Sequence, residues 1–189
     1  MIETPLFHIS LLSEEEADHT TLNPKVAEEV LRRHNNEPSS APSLSGEWRS
    51  QKDFFQSQTP ACMLLRDKIV ETSTAAIREL APPGETRGQR VNFEGWINVN
   101  PPGSFNAPHN HYSDSISKLS GIYYVAAPEN CGALELLAPQ SYWPRNPGGR
   151  YTLEPKAGKY IIFPSYIYHW VQPNASAEMR ISVAWNMRF

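Results

Sequence analysis

Three histidines in the second half of the chain have the spacing of a metal centre: His109 and His111, separated by Asn110, and His169 further on. On an extended segment residues i and i+2 project from one face, so the first two imidazoles share a side of a strand. A third arriving on a later strand can close a facial set around one ion. Neutral imidazole is the commonest protein ligand for divalent first-row metals, and three of them leave open positions on iron(II) for a bidentate 2-oxo acid and for dioxygen. Arg180 follows His169 by about one strand and a turn, and alternation puts Ser182 on the same face. A guanidinium there can pair a carboxylate in bidentate fashion, which makes a small acid the fitting co-substrate. His8, His19 and His34 stand alone in the sequence and read as ordinary solvated or satisfied side chains.

The elements that carry these residues divide into a helical first half and a strand-rich second half. Asn23 before Pro24 reads as an N-cap with a first-turn proline, opening a helix in which Val26, Val30 and Leu31 recur at helical spacing as far as about Arg33. Residues 38–43 read as loop. Thr59-Pro60 starts a longer helix whose Met63, Leu64, Ile69, Val70, Ile77 and Leu80 line a broad apolar face, and the prolines and glycine of 81–85 end it. Beyond that break the period changes to two. Residues 93–100 alternate Trp96, Asn98 and Asn100 against Ile97 and Val99, and 122–125, 133–137, 159–163 and 181–185 are further short β-rich runs between Pro- and Gly-containing turns.

Helices first and closely spaced strands after give a mainly β fold with helices (α+β). The expected architecture is a double-stranded β-helix, of jelly-roll or cupin-like type, backed by N-terminal helices. One domain is expected over 1–189, with 1–88 as helical support and 89–189 as the jelly-roll core that holds the metal site.

Composition narrows the partners. A net charge of −3 over 189 residues, a pI near 6.1 and no run of Lys or Arg argue against a nucleic-acid surface. No apolar stretch approaches the roughly 20 residues of a spanning helix, and the first residues lack a basic flank followed by an apolar run, so a soluble, unexported protein without a membrane partner is expected. Cys62 and Cys131 lie far apart and lack CxxC spacing, which excludes a disulfide framework or cysteine zinc site and suits a reducing cytoplasm.

At this point a resemblance becomes specific. Gly158-Lys159-Tyr160-Ile161-Ile162-Phe163-Pro164-Ser165, His169, Pro173 and Arg180-Ile181-Ser182 look like the distal half of the iron(II)/2-oxoglutarate-dependent dioxygenase superfamily. Together with Asn98-Val99-Asn100, Pro108-His109-Asn110-His111 and residues 119–125, the chain is similar to a small bacterial and phage branch of that superfamily. Gly46-Glu47-Trp48-Arg49-Ser50 resembles a tryptophan element upstream of that branch's first long helix.

The resemblance implies Fe(II) and 2-oxoglutarate as cofactors and His109 and His169 as the two imidazole ligands. It further implies Arg180 as partner of the distal carboxylate of 2-oxoglutarate, with Ser182 adding a hydroxyl donor. The superfamily's middle ligand is a carboxylate, and here His111 stands in its place, with Asp114 the nearest alternative. Strand alternation favours His111, since i+2 keeps the facing and i+5 reverses it, while a loop could bring Asp114 round. Halogenating relatives put a small residue at that position, whereas histidine refills it, so hydroxylation or a related oxidation of a C–H bond, with release of succinate and CO2, is the expected reaction.

Asn98 and Tyr123 are candidates for the co-substrate pocket, and Trp96, Trp143 and Arg145 for substrate contact. The expected partners are dioxygen and a small-molecule or peptidyl substrate, with a homodimer left open. Two other readings remain: a three-histidine cupin dioxygenase or isomerase that works without 2-oxoglutarate, and a non-catalytic jelly-roll binding module. In the cupin reading the glutamate expected after His111 is missing and Arg180 and Ser182 have no task.

Overall fold

Period-two alternation organises the second half of the molecule, as seen in a computed structural model that describes residues 10–41, 45–80, 90–111, 117–137 and 149–189. Along the chain run β1 (Leu12–Glu15), α1 (His19–Asn36), β2 (Trp48–Arg49), α2 (Pro60–Leu80), β3 (Asn92–Asn100), β4 (Asn106–His109), β5 (Ser117–Ala126), β6 (Leu134–Leu137), β7 (Arg150–Leu153), β8 (Lys159–Pro164), β9 (Tyr168–Val171) and β10 (Arg180–Arg188). They form two antiparallel sheets, a six-stranded one in the order β1-β8-β5-β10-β3-β2 and a four-stranded one in the order β4-β9-β6-β7. This is a jelly roll with two helices laid on the outer face of the larger sheet. No helix among the described residues is long and apolar enough to cross a membrane.

Each strand of the larger sheet feeds two compartments. On β10, Ile181, Val183, Trp185 and Met187 join the core formed with Val26 and Val30 of α1 and Leu65 and Ile69 of α2. Arg180, Ser182 and Ala184 point the other way, into a cavity inside the roll. The same parity sends Ile97 and Val99 of β3 toward the helices and Trp96 and Asn98 into the cavity. A second apolar cluster, including Leu134, Ile161, Phe163 and Val171, fills the space between the sheets.

The helices depart from the sequence reading in two places. Helix α1 starts at His19, with Asp18 at its N-cap, so Asn23 and Pro24 lie inside it. Asn23 is occupied by tertiary contacts instead of capping: its Nδ2 donates to the carbonyls of Tyr124 (3.3 Å) and Val125 (2.8 Å), and its Oδ1 accepts from the Tyr123 hydroxyl (2.6 Å). That clamp fixes α1 to β5 and outweighs the backbone bond lost at the proline. Helix α2 starts at Pro60 as expected, yet its buried stripe is Cys62, Leu65, Ile69, Ser73, Ala76 and Ile77, and Leu64 is 51% exposed. Ser73 belongs in that stripe because its Oγ accepts from the Trp185 indole N–H at 3.0 Å. Strand β1, written in the sequence as an acidic cluster, is a charged edge strand of the kind that discourages further pairing.

The Trp185 indole is packed where Gly121 of β5 pairs with Trp185 of β10. A Cβ on Gly121 would lie 2.2 Å from ring atoms of Trp185, so only glycine lets the indole lie flat on the strand and reach Ser73. Gly121→Ala is expected to destabilise the fold by about 1–3 kcal/mol, the usual range for overpacking, read as a lower urea midpoint. An unchanged midpoint would mean that the indole does not rest on this strand.

Candidate metal centre

Pairing of β4 with β9 sets His109 directly opposite His169. His111 lies just past the end of β4, where its backbone N–H donates to the Ser165 carbonyl at 2.9 Å and turns the ring toward the other two. Ring centroids are 4.3 Å apart for His109 and His169, and 5.1 Å for each pair that includes His111. One ligand nitrogen from each ring lies within 4.8 Å of the others.

Hydrogen bonds fix which nitrogen that is. His109 Nδ1 donates to the Ala107 carbonyl (2.8 Å), His169 Nδ1 to the Ile167 carbonyl (2.9 Å) and His111 Nδ1 to Asn186 Oδ1 (2.6 Å). Those oxygens can only accept, so each Nδ1 carries the proton and each Nε2 keeps a free lone pair. Asn186 is held in turn. The Ser120 hydroxyl donates to Asn186 Oδ1 at 2.9 Å, which leaves Ser165 to donate to Ser120 Oγ at 2.8 Å.

Burial favours the neutral rings. It pushes His169 down to about 3 and His111 to about 4, with the neighbouring His109 adding to both, and it lowers His109 as well against the opposing bond to Ala107. Near neutral pH the three rings are therefore neutral, the state a metal requires.

Trp96, Asn98, Arg180 and Ser182 line the same cavity as the three histidines. Arg180 is 1% exposed; its Nη1 donates to the carbonyls of Cys131 (2.7 Å) and Gly132 (3.0 Å), and its Nη2 reaches Asn106 Oδ1 at a long 3.5 Å. Gly132 makes this possible, with φ at +88° and no room for a Cβ, which would sit 2.2 Å from the Gln172 carbonyl. No carboxylate among the described residues pairs with Arg180, and burial lowers the pKa of its guanidinium. Asn98 faces Ser182 across the β3–β10 pair.

Tyr123 is a correction. It points to the helices, where its hydroxyl donates to Asn23, because β5 places odd-numbered residues on that side. Its neighbour Tyr124 faces inward. The Tyr124 hydroxyl is buried without a partner among the described residues, and its pKa is raised by burial and drawn back by the Arg180 charge. The parity shared with Ser120 is the sequence signal that selects Tyr124. Asp114, Trp143 and Arg145 lie outside the described residues. Two further residues reach the site without having been singled out for it: Asn186, on the same face of β10 as Arg180, and Arg49 of β2.

Residues 94–186 match the family described as "Putative 2OG-Fe(II) oxygenase". No curated protein matches the chain. Among solved structures, a Pseudomonas putida prolyl-4-hydroxylase aligns over 94% of this chain and 91% of its own, with a TM-score of 0.71 and 21% identity. The non-heme alpha ketoglutarate dependent epimerase SnoN from nogalamycin biosynthesis aligns over 94% and 76%, with a TM-score of 0.68 and 14% identity. A prolyl hydroxylase from Trichoplax adhaerens, in complex with a hypoxia inducible factor oxygen degradation domain peptide, aligns over 94% and 83%, with a TM-score of 0.67 and 13% identity. At these identities the likeness is one of fold. The family match adds to it by spanning His109, His111, His169 and Arg180, so the strand-rich half of the chain is similar to the iron(II)/2-oxoglutarate-dependent oxygenases.

Proposed function

We propose that this protein is an iron(II)/2-oxoglutarate-dependent oxygenase that hydroxylates a C–H bond of a small-molecule or peptidyl substrate, using dioxygen and releasing succinate and CO2. The observation that carries the reading is the pairing, in one cavity, of three unprotonated Nε2 atoms with a buried guanidinium that meets no carboxylate among the described residues. A buried charge is tolerated when it is paired, and two backbone carbonyls only solvate Arg180, so the cavity suits an anion.

His109, His111 and His169 would hold Fe(II), and Arg180 would take the far carboxylate of 2-oxoglutarate, with Ser182 and the Tyr124 hydroxyl as donors and Asn98 beside them. The bound iron and 2-oxo acid supply the activation of dioxygen. The chain's own share is to fix the ring tautomers, anchor the diacid and keep water out with Ile122, Leu134, Phe163 and Val171, which line the same space. Three histidines are the simplest ligand set, since each already has its Nδ1 occupied.

Both substrate classes have support: one fold relative is named as a peptide complex, another as an enzyme of nogalamycin biosynthesis. The two buried free cysteines suit a reducing cytoplasm. A cupin reaction without 2-oxoglutarate or a pure binding module would leave Arg180 without a ligand. Succinate formation that needs both Fe(II) and 2-oxoglutarate separates the readings.

His169→Ala is expected to abolish Fe(II) binding and succinate release, whereas Arg180→Ala should mainly raise the 2-oxoglutarate concentration required. An unchanged requirement in the Arg180 variant would remove the co-substrate assignment. Asn186→Leu, which takes away the acceptor of His111 Nδ1, should weaken Fe(II) binding by roughly 10- to 100-fold in anaerobic titrations. Equal affinity would show that His111 needs no such support.

The metal-free protein should also be acid-sensitive. The folded pKa values of His169 (about 3) and His111 (about 4) lie below the ordinary 6.5, so the unfolded chain binds more protons between those limits. Stability present above pH 6.5 is therefore lost as pH falls through that window. Urea midpoints across it check this; a flat profile would mean that the rings are not buried as neutral groups.

A further inference from the structure

Arg49 is a second guanidinium at the centre, and the oxygenase reading gives it no role. It sits on the two-residue strand β2, opposite Asn98 of β3, within the segment Gly46-Glu47-Trp48-Arg49-Ser50. Unlike Arg180, it lines both the inner cavity and the more open groove beside it, whose other walls include Lys52, Trp96, His111, Asn186 and Arg188. Its guanidinium carbon lies 5.8 Å from the centre of the Trp96 ring, and Lys52 Nζ lies 5.7 Å from that ring. Two cations thus bracket one indole at the approach to the histidines.

The charges around this groove do not cancel. Lys52 and Arg188 both pair with Glu94, at 3.2 Å and 2.7 Å. Arg49 Nε is buried without a hydrogen-bond partner among the described residues, and its guanidinium pKa is pushed down by burial, with the field of Glu47 opposing. An unsatisfied donor on a partly buried cation is unfavourable in isolation and becomes favourable when a planar anion takes it in bidentate fashion. Arg180 is already placed to receive the deep end of the co-substrate, whereas Arg49 stands where a molecule entering from outside first meets the centre.

We propose that the primary substrate carries a carboxylate and that Arg49, over the Trp96 ring, receives it and so turns the rest of the molecule toward the three histidines. This rests on the oxygenase reading above.

The test uses the full chain loaded with Fe(II) and saturated with 2-oxoglutarate, and measures succinate formation with a panel of carboxylic acids, each beside its own primary amide. Acids should stimulate succinate release and their amides should not. Arg49→Met should raise KM for a stimulating acid by roughly tenfold or more, with kcat changed far less, and Arg49→Lys should fall between. Binding of that acid to the anaerobic complex, followed by tryptophan fluorescence, should weaken in parallel.

The proposal is overturned if amides stimulate as well as acids, if no acid stimulates, or if Arg49→Met leaves the KM for the acid unchanged. It is also overturned if the substitution raises the 2-oxoglutarate requirement instead, because Arg49 then belongs to the co-substrate. Failure of the oxygenase reading itself has a different signature: no succinate from the unaltered protein at all, with or without any addition.

Discussion

The constraint on which this molecule rests is the two-sidedness of its central strands. In β3, β5 and β10 every second side chain is committed to the helices, and the residues between them are left to build a polar interior. A shift of one residue in any of these pairings would trade Arg180 for Ile181, or Trp96 for Ile97, and would bury the wrong set on both faces. The helix-facing core, with Trp185 stacked over Gly121 and bonded to Ser73, therefore secures the register that aims the functional side chains. Stability and chemistry are properties of the same strands read on alternate residues.

Electrostatics give the interior its selectivity. With three neutral imidazoles as donors, a divalent ion would keep its full charge, because none of those ligands is an anion. Arg180 and Arg49 add positive charge to the same cavity, and no acidic side chain lines it among the described residues. The protein thus leaves the negative charge to be brought in from outside, as a diacid at the deep end and as a second anion at the approach. A carboxylate in place of His111 would already satisfy part of that demand. The histidine makes the centre depend more strongly on what enters it.

Much of this is legible in the sequence where a long pattern exists. The alternation of 93–100 is unambiguous, and it places Trp96 and Asn98 inside. The His-x-His pair and the distant His169 are likewise readable as a trio, although His111 lies past the end of β4 and its bond to Ser165, not strand alternation, turns it inward. Legibility fails where the pattern is short or symmetric. Tyr123 and Tyr124 are the same residue type on adjacent positions, so composition cannot say which looks inward, and the parity of β5, fixed by its register with β10, decides. Strand β2 has two residues and no period, which hides Arg49. The start of α1 is displaced because Asn23, a good capping residue by itself, is drawn into contacts with residues far along the chain.

The way the three rings are supported has a mechanical consequence. His109 and His169 are braced by carbonyls of their own segments, next to the smaller sheet, whereas His111 is braced by Asn186 and Ser120, which belong to β10 and β5 of the larger one. An ion shared by all three would rivet one wall of the roll to the other. Its loss would leave the walls joined by the apolar filling between them and by the bonds of Arg180 to Cys131, Gly132 and Asn106, so the emptied protein should breathe at the histidine end of that seam while the helix-backed wall keeps its shape.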